Sequence, residues 1–297
     1  MVNTSDWQTI SKHIEQASNQ PFSIINLHPV SGGCINSAFI LQGKNRSYFI
    51  KLNQRALLSM FEAEYAGLTE MAQSETVKVP QPIVYGVFAD KAFLVLEMIS
   101  LASGNSESDK QLGYQLAALH KTRQPFFGWH QNNTIGSTDQ INNSSGNWAS
   151  FWRNDRLNFQ LSLAEKNGFG GRLIQSTEKL SESLDVFFSD YTPQPSLLHG
   201  DLWSGNAAVT NQGHPVIYDP ACYYGDRETD MAMTELFGGF SPSFYAAYND
   251  SYPLDSGYRV RKTLYNLYHI LNHLNLFGIG YQHQAQNMTD SLLAEIS

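Results

Sequence analysis

The spacing of apolar residues changes near residue 100, and that change restricts the available folds more than any other feature of the chain. Upstream of it the rhythm is mostly that of strands. "INSAFILQG" (35–43) and "RSYFIKLN" (46–53) are β-rich runs joined around Gly43-Lys44-Asn45, a hairpin signal. "ALLSMFEAEYAGLTEMAQ" (56–73) reads as a helix, and "VPQPIVYGVFADKAFLVLEMIS" (79–100) as two further strands. Downstream, 109–122, 148–168, 172–191 and 258–278 carry helical patterns, with a short β interruption over 197–219. The segment 128–147, rich in Asn, Ser and Gly, reads as a long loop. The fold class expected is α+β with two lobes: a small antiparallel β-lobe at 1–100, a larger helical lobe at 101–297, and a cleft between them.

With 297 residues, 42% of them hydrophobic, the chain is long enough to bury a substantial core. The net charge is −8 and no dense Lys/Arg cluster is present, which argues against nucleic acid and anionic membrane as partners. There is no run of 18 apolar residues and no basic-plus-apolar leader. The N-terminus reads instead as an amphipathic helix, with Ser5 as its cap and Trp7, Ile10, Ile14 and Ala17 on one face. Two cysteines, Cys34 and Cys222, are too few for a disulfide scaffold. A reduced, cytoplasmic protein is expected.

The chemistry concentrates in "LLHGDLWSGN" (197–206) and in the "PVIYDP" (215–220) that follows it. Asp201 and Asn206 fall in a loop that feeds a hairpin ending at Asp219, so three oxygen-bearing side chains converge. Phosphoryl transfer uses such a set: a carboxylate orients the attacking hydroxyl and accepts its proton, and Mg²⁺ takes hard oxygen ligands. Asp201 is the expected base, with Asn206 and Asp219 the expected metal ligands. Alone, His-Gly-Asp also fits an ordinary Asx-rich turn; the Asn five residues on and the Asp beyond the hairpin weigh against that.

The first hundred residues offer an independent check. Lys51 sits inside the strand "YFIKLN" between apolar neighbours and calls for a partner. At about 100° per residue, Leu57, Phe61, Glu64, Leu68 and Met71 share one line of the next helix, while Glu62 lies well away from it. Glu64 is therefore the acid expected to hold Lys51 over a nucleotide's phosphates, the alternative being an edge Glu reaching solvent. Ser31, Gly32 and Gly33 precede a strand, and their amides suit a phosphate cover. Glu97 and Met98 end the last strand, where backbone groups can pair with adenine. Cys34 follows Gly32-Gly33, in a loop whose amides favour a thiolate; it reads as a redox-sensitive thiol or as a small packing residue.

These motifs resemble the fructosamine-3-kinase (ketosamine kinase) family, relatives of the aminoglycoside phosphotransferases with a protein-kinase-like fold. The resemblance runs over nearly the whole length through "GGCIN", "FIKLN", "MFEAEYAGL", "LVLEMI", "QLAALH", "LLHGDLWSGN" and "YDPACYYGDRETDMAM". It implies ATP and Mg²⁺ as cofactors, and phosphorylation of the 3-hydroxyl of ketosamines formed when sugars glycate amines. A free ketosamine or a glycated lysine is the implied partner, with the chain a monomer or a homodimer. It further implies that Trp203 lies near the sugar, that Asp230 braces the catalytic loop through backbone N–H groups, and that His199 orients that loop. Relatives with a cysteine at the position of Cys34 can join two chains through it. Asp230 follows Asp219 by only eleven positions, so no regulatory activation loop fits. An aminoglycoside- or choline-type kinase, a catalytically inactive kinase-like nucleotide-binding module and a metal-dependent hydrolase remain the competing readings.

Overall fold

The computed structural model describes residues 4–31 and 35–296. Gly32, Gly33 and Cys34 lie outside the described residues, and the expectations placed on them stay with the sequence.

The chain opens with helix α1 (Thr4–Ser18). Residue 5, expected as its cap, lies inside it. Ile10 and Ile14, one turn apart, are fully buried. Strands β1 (Asn26–Val30), β2 (Ser37–Gln42) and β3 (Ser47–Gln54) follow, then helix α2 (Leu58–Gln73) and strands β4 (Pro82–Phe88) and β5 (Lys91–Glu97). The five strands form one antiparallel sheet in the order β1-β2-β3-β5-β4. The β2–β3 turn closes with the Gly43 N–H donating to the Arg46 carbonyl at 2.9 Å, at the expected hairpin position. In α2, Phe61, Leu68 and Met71 are buried as the helical period requires. Leu57 departs from that line: it ends a 3-10 turn (Arg55–Leu57) ahead of the helix and is exposed.

The helical part begins after β6 (Leu101–Ala102) with α3 (Ser106–Leu119). Asn105 caps α3, accepting from the N–H groups of Glu107 and Ser108, while Ser108 Oγ accepts from the Asn105 N–H. Strands β7 (Asn133–Ile135) and β8 (Thr138–Gln140) then pair as a hairpin. Next come α4 (Trp148–Phe151), a π-helical stretch (Trp152–Asn158), α5 (Phe159–Lys166) and α6 (Arg172–Glu182). Strands β9 (Ser196–Leu198), β10 (Ala207–Thr210), β11 (Pro215–Ile217) and β12 (Tyr223–Gly225) frame the chemistry-bearing loops. The chain closes with α7 (Glu228–Leu236), α8 (Pro242–Ser251), α9 (Tyr258–Phe277) and α10 (Gln282–Glu295). No helix among the described residues is long and apolar enough to cross a membrane.

Two sequence expectations change here. The 172–191 run is not one helix; it breaks at Ser183 into α6 and a 3-10 turn (Leu184–Phe188). The 128–147 segment is not a plain loop. Three of its amides, on Asn133, Gln140 and Asn142, are buried and hydrogen-bonded: Asn133 Nδ2 donates to the Cys222 carbonyl (2.7 Å), Gln140 Nε2 donates to Asn133 Oδ1 (2.9 Å) and to the Ala221 carbonyl (3.1 Å), and Asn142 Nδ2 donates to Asn133 Oδ1 (2.9 Å). A polar segment becomes interior when each donor finds an acceptor, and composition alone does not report that pairing.

The five-stranded sheet buries its faces in two different ways. Ile50, Leu52, Phe93 and Val95 point toward α1, joining Ile10, Ile14 and Phe22 in a small core. The alternate residues, including Leu94 and Leu96, join α2 in a larger core that runs on through α3, α9 and the strands near residue 200. Strand alternation places Lys51 on this second face, with Phe49 and against Leu94.

Candidate active site

The Lys51 ammonium lies 2.6 Å from Glu64 Oε1 and 2.6 Å from Asp219 Oδ1. The expected Lys–Glu pair is thus present, and Asp219 makes it a triad. Burial acts to lower the Lys51 pKa, but the carboxylates of Asp219 and Glu64 outweigh it and the pKa rises, so Lys51 stays charged. Glu64 is buried beneath that ammonium; its pKa is raised by burial and by Asp219, with Lys51 opposing. Asp219 differs from both in exposure: 48% of its side-chain surface remains open. It also adopts φ 58°, in the left-handed region, which Asp tolerates better than most residues and which often marks a functional position.

Asp201 and Asn206 face each other across their loop. Asn206 Nδ2 donates to the Asp201 carbonyl at 2.8 Å and reaches Asp201 Oδ2 at 3.3 Å. The Asp201 carboxyl is pushed up to about 7, chiefly by burial and then by the charge of Asp219, against the Asn206 hydrogen bond. Because the Asn206 amide N is engaged, its Oδ1 is left as the acceptor, and Asp219 keeps a second carboxylate oxygen beyond Lys51. Two hard oxygen donors with room for further ligands suit Mg²⁺ completed by phosphates. Among the described residues no group of three or more His, Cys, Asp or Glu side chains forms a metal cluster, so a protein-only cage is not built here.

The loop carrying Asp201 is held from beneath. Asp230 Oδ2 accepts the His199 N–H (2.8 Å), and Oδ1 accepts the Gly200 N–H (2.8 Å). The His120 ring lies 3.1 Å from Asp230 Oδ2 and 2.7 Å from the Tyr248 hydroxyl. Burial works to raise the Asp230 pKa, but these donors and the two histidines prevail, and it falls below the usual carboxylate range. His199 Nε2 lies 2.9 Å from the Tyr218 carbonyl, and its Nδ1 accepts from the Asp201 N–H at 3.2 Å. That pairing defines a neutral ring with the proton on Nε2, and burial lowers the His199 pKa accordingly. Gly200 has φ 81°, and a Cβ there would stand 2.1 Å from the Ala221 carbonyl oxygen; only glycine fits this turn.

Trp203 projects outward from the same loop. It is 38% exposed, its ring covers Gly205, and it meets Phe237 edge-on with centroids 6.4 Å apart. At the far end of the sheet, the Glu97 N–H donates to the Gln81 carbonyl (2.8 Å), and its carboxylate accepts from Lys78 Nζ and from the Gln81 N–H, both at 3.2 Å. The Glu97 amide N–H is therefore already engaged within the sheet lobe and is not the group left to pair with adenine. Sequence reasoning gave no role to His120 or to Glu70. His120 closes the Asp230 brace, and Glu70 accepts from both Trp129 and Tyr224. Their partners lie 59 to 154 residues away, so no local pattern could reveal them.

A sheet-borne Lys–Glu pair facing an Asp-x₄-Asn loop and a second Asp defines the class: a protein-kinase-like small-molecule phosphotransferase. The chain belongs to the fructosamine kinase family, whose model matches residues 6–295. It is 47% identical to a Synechocystis protein described as a ketoamine kinase, over 97% of both chains. It is 40% identical to the chloroplastic protein-ribulosamine 3-kinase of Arabidopsis thaliana, over 91% of this chain and 83% of that one. A solved Haemophilus somnus 129PT structure described as a fructosamine-3-kinase superposes with a TM-score of 0.89 at 29% identity, covering 97% of each chain.

Proposed function

We propose that this chain is an ATP-dependent ketosamine 3-kinase that transfers the γ-phosphoryl group to the 3-hydroxyl of a ketosamine, either free or on a glycated lysine. The observation that carries this reading is the Lys51–Glu64–Asp219 triad facing Asp201 and Asn206, within a chain whose relatives are described as ketoamine and ribulosamine kinases. The nucleotide lies between the sheet lobe, residues 1–100, and the helical lobe, residues 101–297.

Lys51 neutralises nucleotide phosphate charge, held in place by Glu64. Asp201 orients the acceptor hydroxyl and takes its proton at a carboxylate oxygen, while the Asn206 amide restrains that carboxylate. Asn206 Oδ1 and Asp219 hold Mg²⁺, which when bound offsets the negative charge of the phosphates. Trp203 lines the acceptor side. Asp230 and His199 keep the loop in shape and transfer no proton. An aminoglycoside- or choline-type acceptor would use the same apparatus, and the relatives' descriptions favour the ketosamine.

Two experiments test the reading. Nucleotide consumption is followed with ribulosamine, erythrulosamine and fructosamine adducts of lysine, with aminoglycosides and choline as controls; turnover confined to the controls defeats the ketosamine assignment. Asp201→Asn keeps nucleotide binding but lowers kcat by about 10²-fold or more, as removal of a general base does. Near-normal turnover of that variant removes Asp201 from the mechanism.

A further inference from the structure

Helix α2 carries Glu64 on one side and is gripped on another. Six residues after Glu64, Glu70 accepts a hydrogen bond from Trp129 Nε1–H at 2.5 Å and one from the Tyr224 hydroxyl at 2.7 Å. These donors form a matched pair, because the segments bearing them are joined: the Gly128 N–H donates to the Tyr224 carbonyl (2.9 Å), and the Tyr224 N–H donates to the Gly128 carbonyl (3.0 Å). Gly128 permits that bridge at φ 95°, where a Cβ would strike the Asn143 carbonyl oxygen. Between Glu64 and Glu70, a Cβ on Gly67 would stand 2.9 Å from Cys222 Cβ, so α2 also lies unusually close to the segment that leads into β12.

Tyr224 belongs to β12, which pairs with β9 in the register Tyr224↔Leu197 and Tyr223↔Leu198. The next residues after β9 are His199, Gly200 and Asp201. The helix holding Glu64 is thus tied, through one carboxylate, to the strand pair that delivers the catalytic loop.

We infer that Glu70 is a positioning residue: by receiving Trp129 and Tyr224 it fixes α2 against β12, so that Glu64 is held where it meets Lys51 and Asp219. In kinases where the equivalent helix can swing, the Lys–Glu pair must be assembled at each activation. Here the helix is anchored to β12 through Glu70 while Glu64 meets Lys51, and Asp230 follows Asp219 by only eleven positions, which leaves no activation loop to move the helix. The inference rests on the kinase reading above.

Mg²⁺ with a non-hydrolysable ATP analogue is the probe. Affinity is measured by calorimetry, together with the KM of the ketosamine, the melting temperature and hydrogen exchange along α2. Loss of the clamp lowers the fraction of molecules with Glu64 in place, and apparent affinity falls in proportion; a competent fraction of about one tenth gives an apparent Kd about tenfold higher. Glu70→Ala is expected to raise the analogue's Kd on that scale, to speed exchange in α2 and to leave the ketosamine KM near wild type. Glu70→Gln is expected to restore affinity, since its carbonyl accepts from Trp129 and its amide donates to the Tyr224 oxygen. Trp129→Phe and Tyr224→Phe each remove one donor and are expected to fall between, which decides the matter if Glu70→Ala does not fold. The inference is overturned if the variants bind the analogue as wild type does, or if Kd and ketosamine KM rise together with a falling melting temperature. A wild-type protein that binds the analogue yet phosphorylates no ketosamine defeats the substrate assignment alone.

Discussion

The carboxylate of Asp230 receives the backbone N–H of Gly200 at 2.8 Å, one residue before Asp201. With the His199 N–H on its other oxygen, Asp230 closes the catalytic loop from inside the protein. Replacing it tests whether the loop depends on this brace. In Asp230→Asn the amide sets an N–H donor against backbone donors, leaving buried groups unpaired. A loss of about 3 kcal/mol is expected in denaturant unfolding, since each buried donor left unpaired costs about 1–3 kcal/mol. Gly200→Ala should be at least as damaging, because its Cβ has no room beside Ala221. Wild-type stability in both variants would show that the loop is held by something else.

In the proposed site, Asn206 and Asp219 would offer the oxygen atoms for metal. Asn206→Ala and Asp219→Ala should each raise the Mg²⁺ concentration giving half-maximal activity, with the larger effect at Asp219, which carries a full charge. Asp219→Ala also deprives Lys51 of one of its two carboxylates, so nucleotide affinity should change with it. Mg²⁺ titrations that superimpose on wild type would remove both residues from the metal site.

Trp203 is open to solvent beside the catalytic loop and rests its ring on Gly205. Trp203→Ala is expected to raise KM for the ketosamine well beyond any change in KM for ATP. A parallel rise in both constants would assign the ring to loop packing instead.

The acid limb of stability should carry the signature of His269. Burial, helped by His273 and Arg156 and opposed by Asp230, depresses its pKa to about 3. The folded state therefore binds fewer protons than the unfolded chain between pH 6.5 and that value. Its contribution is complete above the unfolded pKa and is lost as pH falls, at about 1.4 kcal/mol per pH unit. His199, also depressed, titrates in the same direction. His269→Phe should make the decline between pH 6 and 4 shallower by about one proton's worth. Unfolding curves whose pH slope is unchanged by the substitution would place the acid sensitivity elsewhere.

Much of this molecule was legible from residue order. Strand alternation put Lys51 opposite Ile50 and Leu52, and helical periodicity put Glu64 with Phe61, Leu68 and Met71; both hold because they depend on backbone geometry over a few residues. The spacing of Asp201, Asn206 and Asp219 was equally local, as a loop and one hairpin bring them together. The buried amides of 133–142 were not legible. Asn133 and Gln140 look like surface residues until Cys222, Ala221 and Tyr268 arrive to pair with them, and Asn142 until Arg156 does. The closing of Asp219 onto Lys51, 168 residues away, also lay outside any local pattern.

By itself, then, the sequence determined most element types and the faces they bury, and it singled out the side chains proposed to react, because each follows from a period of two or 3.6 residues or from a turn's chemistry. The tertiary structure decided which distant groups satisfy one another. It set Asp230 under Gly200, Glu70 between Trp129 and Tyr224, and Lys51 between two carboxylates. Those choices belong to the packed state because a buried charge or amide is tolerable only with its partners in place, and the partners come together only when the whole chain has folded.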